Sequence, residues 1–312
     1  MTDWIDARFR DYVVPGMFGS ATRNDQPVWI AIGGQPGAGK TAAQLHVRAL
    51  NPGVSLVPIV GDDLRRHHPD YDRLLETDPL SMPTATAGAS AAWVEASLEY
   101  AKQNRYSVLV EGTFRRPEVT LGTAAAFHEA GFRTHVIALA VPAWESRLST
   151  LERFVADHVA GRAARWTPVE AHDAGVVGTP KTLVAAAASA DVDQITVVNR
   201  AGVVLFDATR PAALTGAVGA LRDAHHQPPT RDELRSWSTR LADNSAYLDQ
   251  NLPRTPETRA LLDSLGRDEK ALLAAVSHPT RAREALNSRA SRSTHLRPRT
   301  RHEPRPSPGH ER

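Results

Sequence analysis

Gly34-Gln35-Pro36-Gly37-Ala38-Gly39-Lys40-Thr41 follows the apolar run Val28-Trp29-Ile30-Ala31-Ile32 and precedes Ala42 to Leu50, a stretch of helical composition without Gly or Pro. The eight residues fit G-x-x-x-x-G-K-[ST], and their context is the one that motif needs: a buried strand, a glycine-rich turn and a helix N-terminus. In such a turn backbone N–H groups point inward and the helix dipole favours negative charge. Lys40 then neutralises the outer phosphates and the Thr41 hydroxyl can hold Mg²⁺. Glycine is needed because the backbone must approach the phosphates with no Cβ in the way. Residues 34–41 are therefore read as the binding loop for a nucleoside triphosphate.

Working outward, apolar runs alternate with helical segments. Val54 to Val60 reads as a second strand, placed at a sheet edge by Pro58. Ser107-Val108-Leu109-Val110 is a third strand, Thr134 to Val141 a fourth, and Gln194–Asn199 and Val203–Asp207 are two more. Helices are expected over 85–104, over 116–130, and after Pro142 through Trp144, Leu148, Leu151 and Phe154. Thr167-Pro168-Val169-Glu170 predicts a helix start with Thr167 as N-cap, and Asp63 is read as a second N-cap. This alternation predicts an α/β, three-layer P-loop kinase-type fold with a mostly parallel sheet. Its chemistry belongs at the carboxyl ends of the strands, where Asp62 and Glu111 fall.

The division expected is an N-terminal helix and loop (1–27), a P-loop domain (28–226), a helical extension (227–287) and a disordered tail (288–312). From Ser288 onward seven arginines stand against two glutamates, a charge of +5, so that residues 1–287 carry −3 of the overall +2. A Pro-, Ser- and Arg-rich segment of that kind buries no core. It carries no aromatic residue for stacking on single strands, and nucleic acid is not the expected partner. The 312 residues contain no cysteine, which excludes disulfides, thiolate zinc sites and a cysteine nucleophile. The charged start lacks the apolar core of a signal peptide, and no apolar run approaches the ~18 residues of a membrane span. A soluble, cytoplasmic protein is expected.

A P-loop serves kinases, GTPases, motors and transporters alike. A guanine-specific GTPase would carry Asn-Lys-x-Asp after a late strand, and Asn199-Arg200-Ala201-Gly202 lacks that Asp. No apolar strand ends in the acidic pair of a motor. Phosphoryl transfer to a small acceptor remains, which needs a carboxylate near the acceptor hydroxyl and arginines over the transferring group.

Four segments in order resemble the zeta toxin family over about residues 25–210. They are the P-loop; Gly61-Asp62-Asp63-Leu64-Arg65-Arg66-His67-His68-Pro69; Glu111-Gly112-Thr113-Phe114-Arg115; and Arg153 with the run Arg165 to Asp173. The resemblance implies a kinase that uses ATP and Mg²⁺ to phosphorylate the amino-sugar 3′-hydroxyl of UDP-N-acetylglucosamine, with a small antitoxin as possible partner. It implies Asp62 as the base, and Lys40, Arg153 and Arg165 as the groups acting on the γ-phosphoryl. Asp62, Glu95, Glu111, Thr113 and Arg115 would meet the nucleotide-sugar acceptor. Read on their own, Glu95 equally suits a solvated helix face, Glu111 could steer Mg²⁺ through water, and Arg162 competes with Arg165. Leu64 replaces an aromatic residue of the family pattern and implies a smaller wall of the acceptor pocket. His67 and His68 read as structural or near-site polar residues, Trp144 and Trp166 as packing residues.

Overall fold

The computed structural model describes residues 3–78, 81–162, 164–252 and 254–277. The basic tail and the end of the predicted extension lie outside the described residues. The apolar run before the P-loop is β1 (Val28–Gly33), buried at every position. It lies at the centre of a six-stranded sheet with β2 (Val57–Ile59), β3 (Val108–Gly112), β4 (Arg133–Ala140), β5 (Gln194–Asn199) and β6 (Val204–Thr209). The strand order is β2-β3-β1-β4-β5-β6. All neighbours pair in parallel except β5 and β6, which are antiparallel. The edge place of β2 matches its Pro58, which leaves no N–H to be paired.

Side chains alternate between the faces of a strand, so each face of the sheet has its own core. Ile30, Ile32, Ile137, Leu139 and Val198 meet Ala43 and Val47 of α3 (Lys40–Leu50). Trp29, Ala31, Val136, Ala138, Ile195 and Val197 meet the other layer. That layer comprises α7 (Ala87–Asn104), α8 (Pro117–Glu129), α10 (Val169–Ala188) and α11 (Gly216–His226). The chain enters through α1 (Asp3–Arg8), a π-helical turn and α2 (Val14–Phe18). These dock on α7, where Trp93 Nε1 donates to Ile5 O (3.0 Å). Between β2 and α7 lie α4 (Gly61–Leu64), a 3₁₀ turn, α5 (Tyr71–Thr77) and α6 (Met82–Ala85).

A third core joins α9 (Ala143–Val159) to α12 (Arg231–Asn251) and α13 (Pro256–Ser277). Leu148, Leu151 and Phe154 of α9 face Leu234, Trp237 and Leu241 of α12 and Leu261 and Leu265 of α13. Trp144 meets Trp237 edge-on and Trp166 meets Phe154 in the same way, so both tryptophans pack as expected.

Two predicted caps are corrected. Asp63 lies inside α4, which opens at Gly61 with Val60 as cap residue. α10 opens at Val169 after Pro168, and no side chain caps it. The Thr167 hydroxyl instead accepts from Arg153 Nη2 (3.0 Å), a charged donor and so a stronger partner than a backbone N–H. A capping box does start α12: Thr230 accepts from Glu233 N–H and Glu233 from Thr230 N–H.

Candidate active site

The loop after β1 folds around the N-terminus of α3. Gly37 and Gly39 adopt φ of +78° and +89°, a region that disfavours side chains. A Cβ on Gly37 would also stand 2.0 Å from the carbonyl oxygen of Ser146 in α9. Gln35 is fully buried and donates its amide N–H groups to Val141 O (2.6 Å) and Ser146 Oγ (3.1 Å). Lys40 Nζ donates to Gly34 O (2.9 Å) and Gln35 O (3.3 Å). Burial pushes the Lys40 ammonium down to about 8, with Glu111 and Asp62 pulling it upward and Arg153 pushing it further down.

The strand ends beside this loop open into a cavity of about 460 Å³. Lys40, Asp62, Glu111, Thr113, Arg115, Arg153 and Arg165 all line it. Asp62 comes from the first turn of α4, where it accepts from Arg65 Nε at Oδ1 (3.0 Å) and pairs with Arg165 Nη1 at Oδ2 (2.9 Å). Burial raises the Asp62 carboxyl, but Arg165, Arg65 and Arg153 together outweigh it and hold the group below its ordinary value. Glu111 Oε2 at the end of β3 accepts from Gln44 Nε2 of α3 (3.0 Å). Arg115 Nε donates to Thr113 Oγ1 (3.0 Å). Arg153 is pushed below its ordinary value by burial and by the charge of Arg165, against the pull of Asp62, Asp157 and Glu111.

Other expected residues stand elsewhere. Glu95 is exposed on α7 and lines a groove between α7 and α8 outside this cavity. Arg162 pairs with Asp157 (2.9 Å) on the surface, leaving Arg165 as the guanidinium at Asp62. Leu64 is buried with Val13, Ala89 and Trp93 beneath the N-terminal helices, so its size shapes that core and not a pocket wall. His67 and His68 pack edge-on against Trp93 and Trp4. Three residues were given no role from the sequence: Gln44, Arg65 and Arg200. Arg200, in the turn after β5, reaches Ser149 Oγ (2.6 Å) and Gly37 O (3.4 Å). Gln35 falls in the binding loop as read, though an "x" of the motif does not announce its bonds to Val141 and Ser146, and Arg65 was concealed by its i+3 spacing from Asp62, which alone signals only a helical pair.

The donor set fits the phosphates of a nucleotide with a divalent cation. Lys40, Arg153 and Arg165 converge on one cavity, and two of them are depressed by burial and mutual repulsion, a tension that phosphate oxygens relieve. Thr41 lies exposed in the first turn of α3, where helix N–H groups lack intrahelical partners. Among the described residues no cluster of three or more His, Asp or Glu is arranged to hold a metal ion, and no helix is long and apolar enough to cross a membrane.

Sheet order, P-loop and cationic cavity together define an α/β protein of the P-loop kinase type. Comparison with known families matches Zeta toxin over residues 17–210. This chain belongs to the zeta toxin family. It is 28% identical over 192 residues to Toxin zeta of Enterococcus hirae, covering 61% of this chain and 67% of that one. To Toxin PezT of Streptococcus pneumoniae serotype 4 (strain ATCC BAA-334 / TIGR4) it is 31% identical over 176 residues, covering 55% and 69%. A solved structure from the PezAT chromosomal toxin–antitoxin system of S. pneumoniae superposes with a TM-score of 0.68 at 22% identity, over 78% of this chain and 98% of that chain.

Proposed function

We propose that this protein is an ATP- and Mg²⁺-dependent kinase that phosphorylates the amino-sugar 3′-hydroxyl of UDP-N-acetylglucosamine. The observation that carries the reading is Asp62, held ionised across the cavity from the P-loop lysine by two arginines. Lys40 and the loop amides hold the donor phosphates, and Thr41 is the residue that would hold Mg²⁺. Mg²⁺ supplies neutralisation of the charge shared by the outer phosphates. Arg165 leaves Asp62 Oδ2 for the transferring phosphoryl oxygens, and Arg153 joins it from the neighbouring helix. That exchange frees one carboxylate oxygen of Asp62 to accept the acceptor proton, while Arg65 keeps the other in place. Arg115 and the adjacent Arg116, which also line the cavity, suit an acceptor that carries a diphosphate. Glu111 and Thr113 hold its sugar.

A partner that keeps the kinase inactive belongs to this reading, since the solved relative comes from a toxin–antitoxin system. The exposed place of Glu95 favours, as a second reading, another nucleotide or an antibiotic as acceptor. The test is transfer from ATP to UDP-N-acetylglucosamine by the full chain with Mg²⁺, with the product followed by mass. A product heavier by one phosphoryl group is expected, with turnover lowered at least about 10²-fold by Asp62→Asn. ATP binding without product moves the acceptor to the second reading. Undiminished turnover in Asp62→Asn removes the base assignment.

A further inference from the structure

Three consecutive residues at the start of α9 connect the phosphate loop to the C-terminal helices. Glu145 takes both terminal nitrogens of Arg240 on α12 (3.1 and 2.7 Å) and meets Arg200 (3.4 Å), which also reaches Ser149 Oγ (2.6 Å) and Gly37 O (3.4 Å). Ser146 is fully buried. Its hydroxyl accepts from Gln35 Nε2 and lies 2.9 Å from His172 Nε2 on α10. Arg147 joins Asp173 of α10 (2.8 Å) to Asp268 of α13. His172 Nδ1 faces Asp173 Oδ1 at 3.0 Å. An ionised carboxylate only accepts, so Nδ1 carries the proton and Nε2 is an acceptor for the serine hydroxyl. Pro142 O (3.2 Å) and Ala143 O (3.1 Å) compete for that hydroxyl from within α9. The donor directions run consistently from Gln35 through Ser146 to His172, and from His172 to Asp173.

This Ser-His-Asp arrangement has the order of a nucleophilic triad, yet Ser146 and His172 are 0% and 1% exposed, and no substrate reaches a serine so enclosed. We propose that Ser146 and His172 are positioning residues for the P-loop, and that α13 acts on the phosphate cradle through Asp268, Arg147 and Asp173. The donor-binding arm of the test rests on the kinase reading; the first arm does not.

The first arm follows amide exchange in the nucleotide-free full chain, on a peptide spanning residues 34–44. This segment contains the Ala38 N–H to Gln35 O and Ala43 N–H to Gly39 O bonds. Its reference is a peptide of β5. His172→Phe keeps bulk and loses both polar contacts, while His172→Gln keeps an acceptor at the Nε2 position. Exchange about tenfold faster at 34–44 in His172→Phe and Ser146→Ala is expected, with the reference unchanged and His172→Gln closer to wild type. Asp268→Asn is expected to shift the same peptide in the same direction. Wild-type exchange in His172→Phe, or an equal rise in the reference peptide, overturns the proposal and leaves His172 a packing residue. In the second arm His172→Phe raises the Kd for MgATP about tenfold and leaves the acceptor KM unchanged. Failure of the wild type to bind MgATP would count against the kinase reading alone. A rise in acceptor KM equal to that for ATP would overturn the specific coupling to the P-loop.

Discussion

Lys40 holds its charge against the cavity around it. Burial lowers its pKa from 10.5 to about 8, and the nearby Arg153 works in the same direction. Below about pH 8 both folded and unfolded chains carry the proton, and the full cost of burying the ammonium is present. Between about 8 and 10.5 the unfolded state binds more protons, so this one group makes stability rise with pH across that window. Phosphate oxygens would favour the charged form and raise the pKa again. Nucleotide binding near pH 8.5 is therefore expected to draw a proton from solution. Calorimetric titrations with MgATP in buffers of different ionisation enthalpy measure that uptake. They should give a substantial fraction of a proton at pH 8.5, almost none at pH 6.5, and none in a Lys40→Met variant that still binds. Equal heats across buffers at pH 8.5 would mean that Lys40 is already charged in the free protein. Asp62 is the converse case, a carboxylate held ionised by its arginines; as the proposed base it needs no activation by pH but would have to shed Arg165.

Among the elements, α10 does more to assemble the site than its sequence suggested. Gly175 abuts the P-loop, where an added Cβ would lie 2.9 Å from Gln35 Cα. One turn on, a Cβ at Gly178 would lie 2.5 Å from Arg115 Cα and 2.6 Å from Phe114 O. Thr182 then donates its hydroxyl to Phe114 O (2.9 Å). A single helix face thus presses on both the P-loop and the segment that follows β3. The same substitution should therefore have opposite signs in two helices. Gly178→Ala meets main chain and is expected to destabilise by about 1–3 kcal/mol. Gly88→Ala in α7, with nothing within 4 Å of the new methyl, is expected to stabilise by about 0.5–1 kcal/mol. Urea unfolding of the two variants measures both; a stabilising Gly178→Ala would refute the close contact, and a destabilising Gly88→Ala would refute the open space at α7. The strands, the P-loop and the two acidic strand ends were legible because each is a local pattern: an apolar run, a glycine spacing, a carboxylate at a fixed offset. The glycines of α10 were not, since a small residue in a helix reads as low propensity until its neighbour is known. Thr167 misled for a related reason. Its spacing fits a cap, and only the tertiary placement of Arg153 decides which donor its oxygen takes. The Thr230–Glu233 box was present in the sequence and needed no tertiary information at all.

At the scale of the whole molecule, the boundary expected at residue 227 divides a single core. Leu148, Leu151 and Phe154 on α9 share one buried cluster with α12 and α13, and α9 also carries Arg153 to the cavity. The pattern of 227–277 correctly announced amphipathic helices, but an apolar stripe does not name the surface that will cover it. Each large side chain in that contact is worth about 1.5–3 kcal/mol of burial. Losing the partners of the three α9 residues, together with Trp237, Leu241, Leu261 and Leu265, rivals the total stability of about 5–15 kcal/mol typical of a domain. Truncation would also strip Arg147 of Asp268, leaving a guanidinium that is 10% exposed with one carboxylate fewer. A chain ending at residue 226 is therefore expected to give no cooperative thermal transition and to bind a hydrophobic dye while free of denaturant. The milder variant Leu265→Ala, at a fully buried position, should remain folded and lose about 2–5 kcal/mol. If the truncated chain melts with the midpoint of the full protein, α12 and α13 are an appendage and the phosphate loop is held by α9 and α10 alone. If it fails to fold while Leu265→Ala folds and binds MgATP with wild-type affinity, the pair supplies stability but does not tune the donor site. A weakened Leu265→Ala complex, at a temperature where the variant is fully folded, would instead tie nucleotide binding to packing on the far side of α9.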